Sequence, residues 1–136
     1  MANVEQTYIM LKPDAIKRGL MGEIIGRIEN KGYKIADAKM ITLDEAILKE
    51  HYAHIADKPF FPEILDFMTS GPVLAMIVEG ESVVLGMRIL MGATKFEEAA
   101  AGTIRGDYAF NTGQNLIHGS DSVENAAIEI KRFFNK

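Results

Sequence analysis

The chain has 136 residues, 15 Lys and Arg against 19 Asp and Glu, a formal net charge of −4 and no cysteine. That length suits one domain over residues 1–136, able to bury a sizeable core without disulfides or a structural metal. Lack of cysteine excludes disulfide frameworks, thiolate nucleophiles and thiolate metal sites and suits a cytoplasmic setting, while the acidic balance disfavours a nucleic-acid coat held by bulk charge.

Residues 6–11 mix β-branched, aromatic and apolar side chains and read as a strand ending at Lys12. Pro13 biases Lys12 towards extended backbone, and Pro13-Asp14 makes a helix start. A helix is expected over residues 21–30, with Ile24, Ile25 and Ile28 on one face and Gly32 closing it. Residues 33–42 read as a second strand, with Ala36, Ala38 and Met40 turned to one side. Asp44 is suited to cap a helix carrying Ile47, Leu48, Tyr52 and Ile55, which Pro59 and Pro62 break. Ile64, Leu65 and Met68 suggest a further short helix, ended by the Ser70-Gly71-Pro72 turn.

Residues 73–78 are apolar on both alternating faces, the pattern of a central strand covered on both sides. Gly80 is expected to end it and Ser82 to cap a helix with Val83, Met87 and Leu90 inward. Residues 92–114 show little periodicity, and an irregular stretch that long in a compact domain is usually functional. A short strand at Leu116-Ile117 follows, then a helix from Ser122 carrying Val123, Ala126, Ala127, Ile130 and Phe133. No stretch is long enough to cross a bilayer. The alternation of strands and helices permits a parallel sheet or a split β-α-β sheet, and periodicity does not choose between them.

Chemistry concentrates at Asn115-Leu116-Ile117-His118-Gly119-Ser120-Asp121, where an apolar pair delivers a histidine into small and polar residues just before a helix. Imidazole is nucleophilic when neutral, and one ring nitrogen can attack while the other donates the hydrogen bond that fixes the tautomer. The chain has neither GxxxxGK[ST] nor a GxGxxG after the first strand. A phosphate site must therefore be assembled from dispersed side chains, with Lys12, Arg88, Thr94 and Arg105 as candidates. Phe60 and Phe61, between prolines, suit either a plug over the core or an aromatic platform for a flat ligand; with Tyr52 and Lys12, Phe60 could hold a base and its phosphates. His51 and His54 lie three apart without a fitting third metal ligand and read as surface histidines. Arg105-Gly106-Asp107 reads as a turn after a useful arginine rather than an adhesion motif. Glu129 could orient His118, fix Ser120, or stand as an exposed helical carboxylate.

The segment Asn115–Asp121 resembles the active-site signature of the nucleoside diphosphate kinase family. Further matching motifs run in the same order along the chain: Met10-Leu11-Lys12-Pro13-Asp14, His51-Tyr52, Lys58-Pro59-Phe60-Phe61, Ser70-Gly71-Pro72-Val73 and Gly102-Thr103-Ile104-Arg105-Gly106-Asp107. The resemblance implies an α+β, ferredoxin-like fold with a four-stranded antiparallel sheet covered by helices. It implies ping-pong exchange of the terminal phosphate between nucleoside tri- and diphosphates. His118 would be the nucleophile, oriented by Glu129 directly or through Ser120; Lys12, Tyr52, Arg88, Thr94, Arg105 and Asn115 would contact phosphates and sugar, and Phe60 the base. Mg2+ would ride on the nucleotide phosphates, with no metal held by the protein. A homo-oligomer, tetramer or hexamer of dimers, is implied, with neither membrane nor obligate nucleic acid as partner. Two rival readings are a phosphohistidine phosphatase or mutase, which leaves Phe60 and the dispersed cations unexplained, and a non-catalytic regulatory module, which leaves the His118 motif unexplained. The chain departs from the family's usual pattern at Lys95, Phe96 and Ala101, the last two standing where prolines are common. Fewer φ restraints are therefore expected in that loop.

Overall fold

β1 (Val4–Leu11) sends Tyr8 and Met10 to one side and Ile9 and Leu11 to the other, and all four are fully buried. A strand buried on both faces is a central strand, and β1 pairs antiparallel with both β3 (Val73–Glu81) and β4 (Ile117–Gly119). The computed structural model describes residues 4–111 and 113–136 and gives the sheet order β2-β3-β1-β4, with β2 (Lys34–Ile41) at the edge. β3 splits β1 from β2, so the sheet is the antiparallel, ferredoxin-like form of an α+β fold.

Helices cover both faces. On one side Ile24 and Ile28 of α2 (Met21–Lys31) and Val83, Met87 and Met91 of α5 (Val83–Met91) pack on Ile9, Leu11, Met76 and Val78, with Ala15 of α1 (Pro13–Lys17) beside them. On the other, Leu48 of α3 (Glu45–His51), Phe61 and Met68 of α4 (Phe61–Met68), and Ile130 and Phe133 of α7 (Val123–Phe134) cover Tyr8, Met10, Ala75 and Ile77. Each such large apolar side chain contributes about 1.5–3 kcal/mol on full burial. Between α5 and β4 lie a 3₁₀ turn (Phe96–Glu98) and α6 (Ile104–Tyr108), capped by the Thr103 hydroxyl.

Several local expectations hold: Asp44 caps α3, α7 follows Ser122, whose hydroxyl caps it, and Gly32 closes α2 at φ 106°. Others are corrected. α3 ends at His51, leaving Tyr52 and Ile55 in the turns that follow. β3 runs through Gly80 to Glu81. Ser82 occupies the cap position of α5 without capping it, and the Val84 N–H instead donates to Glu5 Oε1 at 3.3 Å. In β2 an irregularity between Ile35 and Asp37 resets the alternation, and Ala36, Ala38 and Met40 are exposed because an edge strand lacks cover there. α7 buries Ala126, Ile130 and Phe133 at helical spacing but leaves Val123 and Ala127 exposed. The last strand begins one residue later than expected, taking in His118 and Gly119, and α6 interrupts a stretch that has no periodicity of its own.

Candidate active site

His118 pairs with Met10 across the sheet, and facing residues of an antiparallel pair share a face. The histidine is therefore turned towards α7 and α3 rather than into a turn beyond the strand. Its neighbour Gly119 pairs with Ile9 on the opposite face, where a Cβ would stand 2.6 Å from Met91 Sδ. Glycine is what lets this short strand lie so close to α5.

Before the strand, Leu116 has φ of 77°, and the Ile117 N–H donates to the Asn115 carbonyl at 2.9 Å, closing a three-residue turn. A branched side chain in the left-handed region is strained and persists where its surroundings over-determine it. Three successive carbonyls are held here: Arg105 Nε donates to Asn115 O at 3.3 Å, the Lys12 N–H to Leu116 O at 2.8 Å, and Arg105 Nη2 to Ile117 O at 2.5 Å. Arg105 Nη1 reaches Gly92 O at 3.0 Å, so this buried guanidinium ties the loop after α5 to the strand bearing His118.

Behind His118 stands Glu129 of α7. Its Oε1 lies 2.9 Å from His118 Nε2 and accepts from the Ser120 hydroxyl at 2.5 Å. The two ways in which Glu129 could act, on His118 or on Ser120, are thus combined in one oxygen. Burial opposes the carboxylate charge, but the His118 hydrogen bond and charge and the Ser120 hydroxyl outweigh it and hold Glu129 below its ordinary value. An ionised carboxylate only accepts, so Nε2 carries a proton and Nδ1 is the nitrogen left with a lone pair.

In front, a cavity of about 600 Å³ is lined by His118, Lys12, Tyr52, Arg88, Thr94 and Arg105, and also by Asn115 and Glu129. Lys12 Nζ donates to Asn115 Oδ1 at 2.8 Å; burial first and the Arg105 charge second push this ammonium down to about 8. Burial, then the charge of Arg88, brings Arg105 to about 10. Burial raises the Tyr52 hydroxyl to about 12, with Glu129 adding to it. Phe60 is not in this cavity. It is 48% exposed on a neighbouring apolar groove of about 530 Å³, which shares Lys12 and Tyr52 with the first, while Phe61 plugs the core.

His51 overturns its expected surface position: its side chain is 2% exposed, and its ring meets that of His118 edge-on at 4.7 Å between centroids. The signal was present in the sequence, since His51 stands three residues after the buried Leu48 on α3. Arg132, absent from the sequence-derived candidates, faces His51 Nδ1 from Nη1 at 3.0 Å; it follows Glu129 by one helical turn. His54, by contrast, is exposed at the cavity rim. His51, His118 and Glu129 bring ligand atoms within 4.8 Å of one another, but the Arg132 cation already occupies His51 Nδ1. The adhesion reading of Arg105-Gly106-Asp107 is also closed, because Arg105 is buried.

Residues 5–136 match the nucleoside diphosphate kinase family. Nucleoside diphosphate kinase 1 of Nicotiana tabacum is 53% identical over 131 residues, which cover 96% of this chain and 88% of that protein. The apo nucleoside diphosphate kinase of Encephalitozoon cuniculi superposes with a TM-score of 0.94 at 48% identity, covering 97% of this chain and 90% of that one. The Halobacterium salinarum nucleoside diphosphate kinase, solved in complex with CDP, superposes at 0.93 and 48% identity over 97% of this chain and 88% of its own. With sequence and fold matched over nearly its whole length, the chain belongs to the nucleoside diphosphate kinase family.

Proposed function

We propose that this protein transfers the γ-phosphoryl group of a nucleoside triphosphate to a nucleoside diphosphate by a ping-pong mechanism through His118. The observation that carries the reading is the 2.9 Å contact of His118 Nε2 with Glu129 Oε1, which leaves Nδ1 as the attacking atom. In the first half-reaction the Nδ1 lone pair forms a bond to the γ-phosphorus. The bond from that phosphorus to the β,γ-bridging oxygen breaks, and its electron pair leaves with the diphosphate. The Nε2 proton stays in place, and the Glu129 carboxylate balances the positive charge that grows on the ring. The second diphosphate attacks the phosphohistidine from the same position, reversing each step.

Phosphoryl transfer rests on positioning and on charge around the transferring oxygens, and Lys12, Arg88, Thr94 and Arg105 line the cavity where those oxygens would sit. Asn115 holds Lys12 and, with Tyr52, would meet the sugar and phosphates. Phe60, on the adjoining groove, supports the base; stacking of about 1–3 kcal/mol discriminates weakly between bases and favours broad nucleotide use. Magnesium enters as part of the substrate, on the β- and γ-phosphates, since it prefers oxygen ligands and stays largely hydrated. The CDP bound by the Halobacterium salinarum relative supports a nucleotide as the ligand here. The reading extends to a cytoplasmic homo-oligomer, tetramer or hexamer, for which the exposed apolar side chains Met40, Leu85 and Ile89 offer contact surface. Among the described residues no helix is long and apolar enough to cross a membrane.

The test is a two-step labelling. Incubation with γ-labelled MgATP should give an acid-labile, base-stable phosphoprotein, and adding GDP to the isolated protein should move the label into GTP. Release of the label only as inorganic phosphate would make the protein a phosphatase, and no labelling would leave a binding module.

A further inference from the structure

Arg132 takes no part in the transfer as proposed, yet its largely buried guanidinium lines the same cavity and is held on two sides. Nη1 faces His51 Nδ1 at 3.0 Å, and Nε donates to Glu50 Oε2 at 2.9 Å. A guanidinium has donors and no acceptor, so at Nδ1 His51 accepts, and the proton of its neutral ring sits on Nε2. On the other side, His51 Nδ1 lies 3.8 Å from Glu129 Oε2, just beyond hydrogen-bond reach.

Taking His118 as the nucleophile, we propose that Arg132 is a positioning residue for the transfer: by holding His51 in its Nε2–H tautomer, it denies His51 a donor towards Glu129 and reserves that carboxylate for His118 and Ser120. With the opposite tautomer, an Nδ1–H would close the 3.8 Å gap and draw Glu129 away from His118 Nε2 and the Ser120 hydroxyl. The competition is close because the two imidazoles face one carboxylate, His118 at 2.9 Å from Oε1 and His51 at 3.8 Å from Oε2, their rings 4.7 Å apart at 78°. Edge contacts with Tyr52 at 4.8 Å and Phe133 at 5.2 Å keep the His51 ring from turning away.

The charged groups around His51 are consistent with a ring that stays neutral. Burial first and the neighbouring His118 second lower His51 to about 3; Glu129 opposes this, while Arg132 and Lys12 add to it. Glu50 pairs with the far side of the Arg132 guanidinium and keeps it facing the ring. Arg132 therefore works by choosing which nitrogen of a neutral imidazole bears the proton, and so leaves Glu129 to hold the reacting imidazole.

Long-range proton–nitrogen NMR of the histidine rings at pH 7, read beside phosphoenzyme formation from γ-labelled MgATP, tests this. In the wild type His51 should show the Nε2–H pattern. In Arg132→Met it should switch to Nδ1–H, and phosphoenzyme formation should slow about tenfold with KM for MgATP unchanged. Arg132→Lys, which keeps a donor, should restore both signals, and His51→Phe added to Arg132→Met should recover most of the rate by removing the competitor. A labelled wild type whose His51 is Nδ1–H overturns the role of Arg132 alone, whether or not the variants fold. So does an Arg132→Met protein that keeps the Nε2–H pattern, or one that loses MgATP affinity rather than rate. A wild type that takes no label overturns the nucleophile reading first, and the catalytic part of this role with it.

Discussion

The back and the mouth of the cavity are built on opposite plans. At the back, Glu129 of α7 holds His118 and Ser120 at the end of β4, and Arg132 of α7 holds His51 and Glu50 of α3, two hydrogen-bonded groups that face each other across the 3.8 Å between His51 and Glu129. At the mouth, the side chains of Arg88 and Thr94 have no hydrogen-bond or ion-pair partner among the described residues. The difference teaches where each kind of work is done. A nucleophile must be aimed before the substrate arrives, so its donors and acceptors are spent on one another. On the proposed mechanism, Arg88 and Thr94 are the groups left unspent for phosphate. Arg105 and Lys12 stand between the two plans: both line the cavity, and both already hold the turn at Leu116 or its neighbour Asn115.

Breaking the back should cost the most. His118→Ala should lower transfer by on the order of 10⁴-fold or more while nucleotide binding survives, as checked by labelling and calorimetry. Retained transfer would move the nucleophile elsewhere. Glu129→Gln keeps the shape but removes the charge that balances the ring, and should slow phosphoenzyme formation about a hundredfold with KM little changed.

Substitutions at the mouth should act differently. Arg88→Ala should weaken MgATP binding by about 1.5–3 kcal/mol, the range of a charge-assisted hydrogen bond, with no change in melting temperature. Arg105→Ala should do the reverse of a clean binding variant. It strips donors from the carbonyls of Gly92, Asn115 and Ile117, costing about 1–3 kcal/mol for each left buried and unpaired, and should lower the melting temperature as well as transfer. If the two variants behave alike, the contrast between spent and unspent cations fails.

The smallest expected effect is in pH. Lys12 is charged below about 8 and neutral above it, so its attraction for phosphate fades as pH rises through that value. The ratio kcat/KM for MgATP, which reports the free enzyme, should fall on an alkaline limb near pH 8. Lys12→Arg should flatten the limb, because guanidinium keeps its proton there.

These contrasts also separate what was legible in the sequence from what was not. The central strand 73–78 is legible because both its faces are apolar, and the cap at Asp44 because its chemistry is local. Choosing the antiparallel sheet took the family resemblance, since the pairing of β1 with β3 and β4 is long-range and leaves no periodicity. The cations of the mouth were readable by residue type, yet the engagement of Arg105 with backbone carbonyls was not. Nothing in a one-dimensional pattern tells a guanidinium held for phosphate from one already occupied. His51 and Arg132 escaped for a related reason. Each lies one helical turn from a residue already recognised as buried or functional, but their meeting joins α3 to α7 across 81 positions of sequence. The residues alone leave Phe60 open between a plug and a platform, and the fold shows it exposed on the adjoining groove.

The most direct test is the identity of the phosphorylated atom. Glu129 occupies Nε2 of His118, so mild alkaline digestion of the labelled protein followed by separation of the two phosphohistidine isomers should recover the label on Nδ1 of His118. Recovery on Nε2, or on any residue other than His118, would contradict a nucleophile aimed by the carboxylate behind it.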